Sequence, residues 1–156
     1  MFRFLLILSL FTFSLIPLNP RGEAAEDAGA TLEVRVEGVM ERSGEVGIAL
    51  FENKKGFPTH IEHSYEPAWI LLEKGMKTAG HTFEGLPAGD YAVSVLHDEN
   101  GNRRLERSVL GFPEEGVGFS NDQKVKLSAP DFDDCKFDLT EGEHKKILIR
   151  LDYRET

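Results

Sequence analysis

Apolar side chains recur at every second position along most of this chain, and a two-residue period suits half-buried β-strands rather than helices. In residues 31–37, Leu32, Val34 and Val36 fall on one face while Glu33, Arg35 and Glu37 fall on the other. Val46, Ile48 and Leu50 repeat the pattern after Ser43-Gly44, which predicts a hairpin partner for the first strand. Residues 69–72 read as a short buried strand, Tyr91, Val93 and Val95 as an inward row, and Ile147, Ile149, Leu151 and Tyr153 as the last strand. Cys135 shares a face with Phe137 and Leu139, as a small buried thiol in a strand would. No later stretch carries a long 3.6-residue apolar stripe, so at most one short helix is expected, within residues 54–64.

Seven or eight short strands joined by Gly and Pro turns predict an all-β chain, an antiparallel β-sandwich of immunoglobulin-like or transthyretin-like form. Residues 1–24 stand apart from it. Arg3 precedes an apolar run over residues 4–18, and Gly22-Glu23-Ala24 supplies small residues around a cleavage point, the pattern of a signal peptide. That run is shorter than the about 20 residues a membrane span requires. The expectation is a single domain over residues 25–156, exported to the periplasm or beyond, with no stable membrane insertion after cleavage. The lone Cys135 forms no internal disulfide, although that compartment permits one.

Charge narrows the partners. With 27 acidic and 18 basic residues the chain carries a formal −9, which repels phosphate backbones and anionic lipid and favours cations or basic partners over nucleic acid.

Two irregular stretches, residues 53–67 and 99–122, exceed ordinary connection lengths and are the places to look for function. Asp98, Asn100, Asn102 and Glu106 match positions 1, 3, 5 and 9 of a calcium loop, with the Arg104 carbonyl at position 7. Against calcium, Arg103 stands where such a loop needs glycine, Val109 stands at the bidentate glutamate, and Arg103, Arg104 and Arg107 bring positive charge. A solvated turn held by side-chain to backbone bonds explains the same residues, as does a surface that grips another ligand. No other cofactor is expected. In Glu115, Gly116, Gly118, Phe119, Ser120 and Asn121 the glycines permit unusual backbone angles and the apolar side chains pin a loop. The alternative is that this loop meets His97, Asp98, Asn100 and Asn102 at one end of the sandwich to form a recognition edge.

Other chemistry is weaker. His60 and His63, three apart with Glu62 between and His81 elsewhere, are a candidate zinc or copper pair without thiolates. Ser94, Ser120, His97 and Asp98 supply nucleophile, base and acid on paper, but no nucleophile elbow, zinc-protease helix or phosphate loop accompanies them. Glu114-Glu115 and Asp133-Asp134 are adjacent, so in extended backbone they point oppositely.

The turn Phe83-Glu84-Gly85-Leu86-Pro87-Ala88-Gly89-Asp90-Tyr91 has the leucine-proline-x-glycine-x-tyrosine pattern that closes a hairpin in many exported β-sandwiches. With Tyr91-Ala92-Val93, residues 97–102, Gly111-Phe112-Pro113 and Glu115-Gly116-x-Gly118-Phe119-Ser120-Asn121, it resembles family 2141 of the domains of unknown function, a set of exported bacterial proteins. The resemblance covers most of residues 31–153, implies one extracytoplasmic β-domain, and supplies no catalytic residue. Family members often continue the acidic loop with glycine and then aspartate three residues on; here those positions are Arg103 and Glu106.

The sequence therefore predicts an exported, non-catalytic binding or interaction module for a protein or other envelope component, with residues 97–121 as its functional edge. A metal-dependent hydrolase using His97 and Asp98, and a purely structural envelope component, are the alternatives.

Overall fold

The computed structural model describes residues 29–40 and 43–154; the expected signal peptide lies outside the described residues. Eight strands run in chain order: β1 (Ala30–Glu37), β2 (Glu45–Phe51), β3 (Glu66–Leu71), β4 (Thr78–Leu86), β5 (Gly89–Asp98), β6 (Gly116–Phe119), β7 (Phe137–Leu139) and β8 (His144–Arg150). They form two sheets, β4-β1-β8 and β3-β2-β5-β6, with β7 pairing the start of β5. Leu32, Val34 and Val36 of β1 face Val46, Ile48 and Leu50 of β2 and Val93 and Val95 of β5 across a core that also holds Phe83, Tyr91 and Ile149. This is the predicted all-β sandwich, and its alternating strands are the reason for it: each sheet can hide only one face against the other.

The pairing differs from the expected order. β1 makes no hairpin with β2 but pairs β4 antiparallel and β8 parallel, so the smaller sheet is mixed. Pro87-Ala88 likewise joins strands of different sheets, and the Tyr91 hydroxyl donates to the Pro87 carbonyl at 2.9 Å to lock that crossing. β3 is an edge strand rather than a buried one, with Leu71 71% exposed. Residues 54–64 hold only a 3-10 turn (Ile61–His63), and the one α-helix among the described residues, α1 (Phe132–Cys135), ends on Cys135, which is therefore helical rather than in a strand. Cys135 is buried as expected, but among Phe51, Phe119 and Phe132 instead of beside Leu139. Burial pushes its thiol up to about 12.

Residues 116–119 are strand, not loop. Gly116 and Gly118 have no positive φ; a Cβ on Gly116 would lie 2.4 Å from the Tyr153 ring, and one on Gly118 2.6 Å from Ile149 Cγ2. Close packing against the segment around β8 requires these glycines.

The larger sheet is covered on both sides. Its outward residues, Ala49, Phe51, Ala92, Val117 and Phe119, form a second apolar cluster with Phe132 and Cys135. Phe57 anchors the overlying loop, edge-on to Phe51, Phe119 and Phe132 at centroid separations of 5.3, 6.4 and 5.8 Å. Loops thus do on this face what a third layer would do.

Candidate functional site

β5 ends on Asp98, whose side chain is fully buried and accepts three backbone N–H groups: Gly101 at 2.8 Å and Asn102 at 3.2 Å on Oδ1, Arg103 at 2.5 Å on Oδ2. A carboxylate that collects consecutive amides folds the chain back on itself. Asn100 Oδ1 accepts the Asn102 N–H at 3.0 Å, Asn102 Oδ1 accepts the Arg104 N–H at 2.7 Å, and Asn102 Nδ2 donates to Glu106. The candidate calcium ligands Asp98, Asn100 and Asn102 thus direct their oxygens at the loop's own amides. Among the described residues, no three His, Cys, Asp or Glu side chains form a group able to hold a metal ion.

Arg103 is driven to φ +58°, a left-handed conformation that favours glycine. Its guanidinium lies 5.1 Å from the Trp69 ring centre, and Nε bonds Glu45 at 3.3 Å. The turn that resembles a calcium loop is the device that sets this arginine over the edge strand.

Glu115 closes the other end of the loop. Only 5% exposed, it accepts the Glu99 N–H on Oε1 and the Glu106 N–H on Oε2, each at 3.1 Å. Burial and the hydrogen-bonded Glu106 carboxylate push its carboxyl up to about 7, whereas the Asn102 amide holds Glu106 below the usual carboxylate range. Glu106 Oε2 is buried, and the neighbouring Glu115 carboxyl, when protonated, is a donor it can accept. Burial and like charge thus favour a protonated Glu115 beside an ionised Glu106. As adjacency in extended backbone predicts, Glu114 is exposed while Glu115 is buried; the carboxyl beside Glu115 stands nine residues away, at Glu106.

Between the loop of residues 53–65, the loop of residues 102–113 and the outward face of the larger sheet lies an open-mouthed groove with a cavity volume of about 60 Å³. Its floor is Gly47, Ala49, Leu96, Val117 and Phe119, and Trp69 forms one wall. Gly47 is bare because Trp69 lies across it: a Cβ there would meet the indole at 2.6 Å. The Ser94 hydroxyl in the floor donates to the Pro58 carbonyl at 2.9 Å. Arg103, Arg104 and Arg107 are the charged residues that line the groove.

The other candidates separate. His97 is fully buried on the opposite face of β5 from Asp98, where Nδ1 hydrogen-bonds the Tyr153 hydroxyl at 2.7 Å. Ser120 Oγ donates to the Cys135 carbonyl at 2.7 Å and accepts the Val93 N–H at 2.9 Å, so Ser94, Ser120, His97 and Asp98 are each bound to other groups. Asn121 Nδ2 donates to the carbonyls of Asp134 and Lys136 and ties β6 to α1. His60 pairs with Glu62 at 3.1 Å on the 3-10 turn, while His81 lies edge-on to Phe83 in the other sheet. Of the predicted edge, Asn100, Asn102 and Asn121 are exposed, Gly116, Gly118 and Ser120 are buried, and Phe119 enters the groove. Trp69, Leu105 and the arginines as a wall were not anticipated. Three arginines within five residues of an acidic chain were the available signal.

The family model described as "Uncharacterized protein conserved in bacteria (DUF2141)" matches residues 34–147. No curated protein and no solved structure matches the chain.

Proposed function

The chain belongs to the bacterial family DUF2141, and we propose that it is an exported, non-catalytic binding module whose ligand lies in the groove on the outer face of the larger sheet. One observation carries this reading: the overlying loops and Phe132 seal the sheet over Phe51 and Ala92 but leave Trp69 and Leu96 only half-buried, an apolar concavity floored by the sheet. Concave, mostly apolar sites with a few convergent polar groups are where small ligands bind. Residues 97–121 contribute to it in a particular way. The Asp98 turn and the Glu106–Glu115 pair position one wall, and β6 supplies Val117 and Phe119 to the floor. Export rests on the reading of residues 1–24. Among the described residues no helix is long and apolar enough to cross a membrane.

The test is a neutral solvatochromic dye, Nile red, titrated into the purified protein. Saturable enhancement at one dye per chain is expected, lost when Ala129→Phe fills the groove from its loop side with the melting midpoint unchanged. Enhancement indifferent to Ala129→Phe removes the groove as the binding site.

A further inference from the structure

We infer that the groove receives an amphipathic organic anion, an acyl chain ending in a carboxylate, with Arg104 and Arg107 taking the head group and the sheet face taking the chain. This rests on the binding-module reading and adds the ligand's chemistry to it. Among the described residues, the charged ones that line the groove are arginines alone, in a protein whose formal charge is −9. A cluster of one sign against the sign of the whole molecule focuses an attractive field for an anion at this mouth.

The three arginines are not equivalent. Arg103 is already engaged, over Trp69 and on Glu45. Arg107 gives one donor to the Gly111 carbonyl at 3.0 Å and keeps the others of its guanidinium. Arg104 is exposed and has no ion-pair or side-chain hydrogen-bond partner among the described residues. A guanidinium presents a planar fork that matches a carboxylate with two parallel bonds.

The floor selects the remainder of the ligand. Gly47, Ala49, Leu96, Val117 and Phe119 present no polar side-chain atom, and the Ser94 hydroxyl proton is committed to Pro58. A sugar or a zwitterion laid there leaves its hydroxyls or amine without partners, whereas an alkyl chain loses nothing on leaving water. Polarity confined to one rim above an apolar floor is the pattern of an amphiphile site.

Trp69 is the single tryptophan of the chain and lines the groove, so its emission reports occupancy directly. Dodecanoate, dodecanol and dodecyltrimethylammonium are titrated below their micelle concentrations. Dodecanoate is expected to change Trp69 emission saturably, with dodecanol roughly ten-fold weaker, about 1.4 kcal/mol, and the cation weaker still. Arg104→Gln with Arg107→Gln should bring dodecanoate down to the affinity of dodecanol and leave dodecanol unchanged; Arg104→Lys with Arg107→Lys should restore part of the difference. Equal binding of dodecanol, tighter binding of the cation, or an unchanged glutamine variant overturns the anionic head. If dodecanoate fails while Nile red still binds, the ligand class falls and the groove stands; if neither binds, both fall.

Discussion

Asp98 accepts the backbone N–H of Arg103 at 2.5 Å, and the arginine so held lies 5.1 Å over Trp69. A buried carboxylate on one strand thereby sets the wall of a groove formed with another. Asp98→Ala removes three charge-assisted bonds at once and should cost about 2–4 kcal/mol in denaturant unfolding. Trp69 emission should shift to the red in the folded variant as Arg103 leaves the ring. The same carboxylate tests the calcium reading. A turn satisfied by its own amides predicts no rise of the melting midpoint on adding calcium to chelator-stripped protein; a rise lost in Asp98→Ala makes residues 98–106 an ion site.

Arg103 combines an unfavourable backbone with a useful side chain. Arg103→Ala keeps the left-handed angle and loses the cation–π contact, whereas Arg103→Gly loses the contact and relieves the backbone. The glycine variant should therefore be more stable than the alanine variant by about 1 kcal/mol, read from paired denaturation curves. Equal stabilities would show that the angle is not strained.

Much of this architecture was legible in the sequence, and the remainder was hidden for identifiable reasons. The inward rows of β1, β2 and β5 followed from alternation alone, because side-chain parity is a local property. Strand neighbours are not local: nothing in Leu32 or Ile147 announces that β1 lies parallel to β8. The outward face of β5 was missed because Ala92, Ser94 and Leu96 look like solvent-facing residues until distant Phe57 and Phe132 cover that side of the sheet. The loop's acids and amides suggest a bound cation, but its oxygens turn inward, and the arginines that argue against a cation are the groove's charges among the described residues.

Gly118 tests whether the two sheets close as tightly as described. A methyl group there meets Ile149 Cγ2 at 2.6 Å and the Arg150 carbonyl at 3.1 Å, and Ile149 is fully buried. Gly118→Ala should cost about 1–3 kcal/mol by overpacking. Adding Ile149→Leu, which is unbranched at Cβ and so removes the Cγ2 methyl, should recover part of the loss, a coupling visible in a double-mutant cycle. Simple additivity of the two losses places the strain elsewhere.

The raised Glu115 carboxyl makes stability depend on pH in the direction opposite to ordinary paired carboxylates. Burial and the Glu106 carboxylate push the Glu115 carboxyl from its ordinary 4.5 up to about 7, so the folded state binds its proton more tightly than the unfolded state does. Its contribution is complete below about pH 4.5 and is lost as pH rises through 7; the slope is negative because the unfolded chain binds fewer protons across that window. Glu106, held below the usual range, is already ionised there and adds no opposing slope. Stability should fall by about 1–3 kcal/mol between pH 5 and pH 8. Glu106→Gln keeps an oxygen for the Asn102 amide and offers Glu115 an N–H in place of a like charge, which returns Glu115 toward ordinary acidity. Denaturation curves at pH 5, 6.5 and 8 should show the decline in the parent and a flattened profile in Glu106→Gln. The same decline in both places the titrating group elsewhere. Because the pair holds the backbone of Glu99 and Glu106, the arginine-bearing loop between them should exchange its amide hydrogens faster at pH 8 than the intrinsic rise in exchange with pH accounts for.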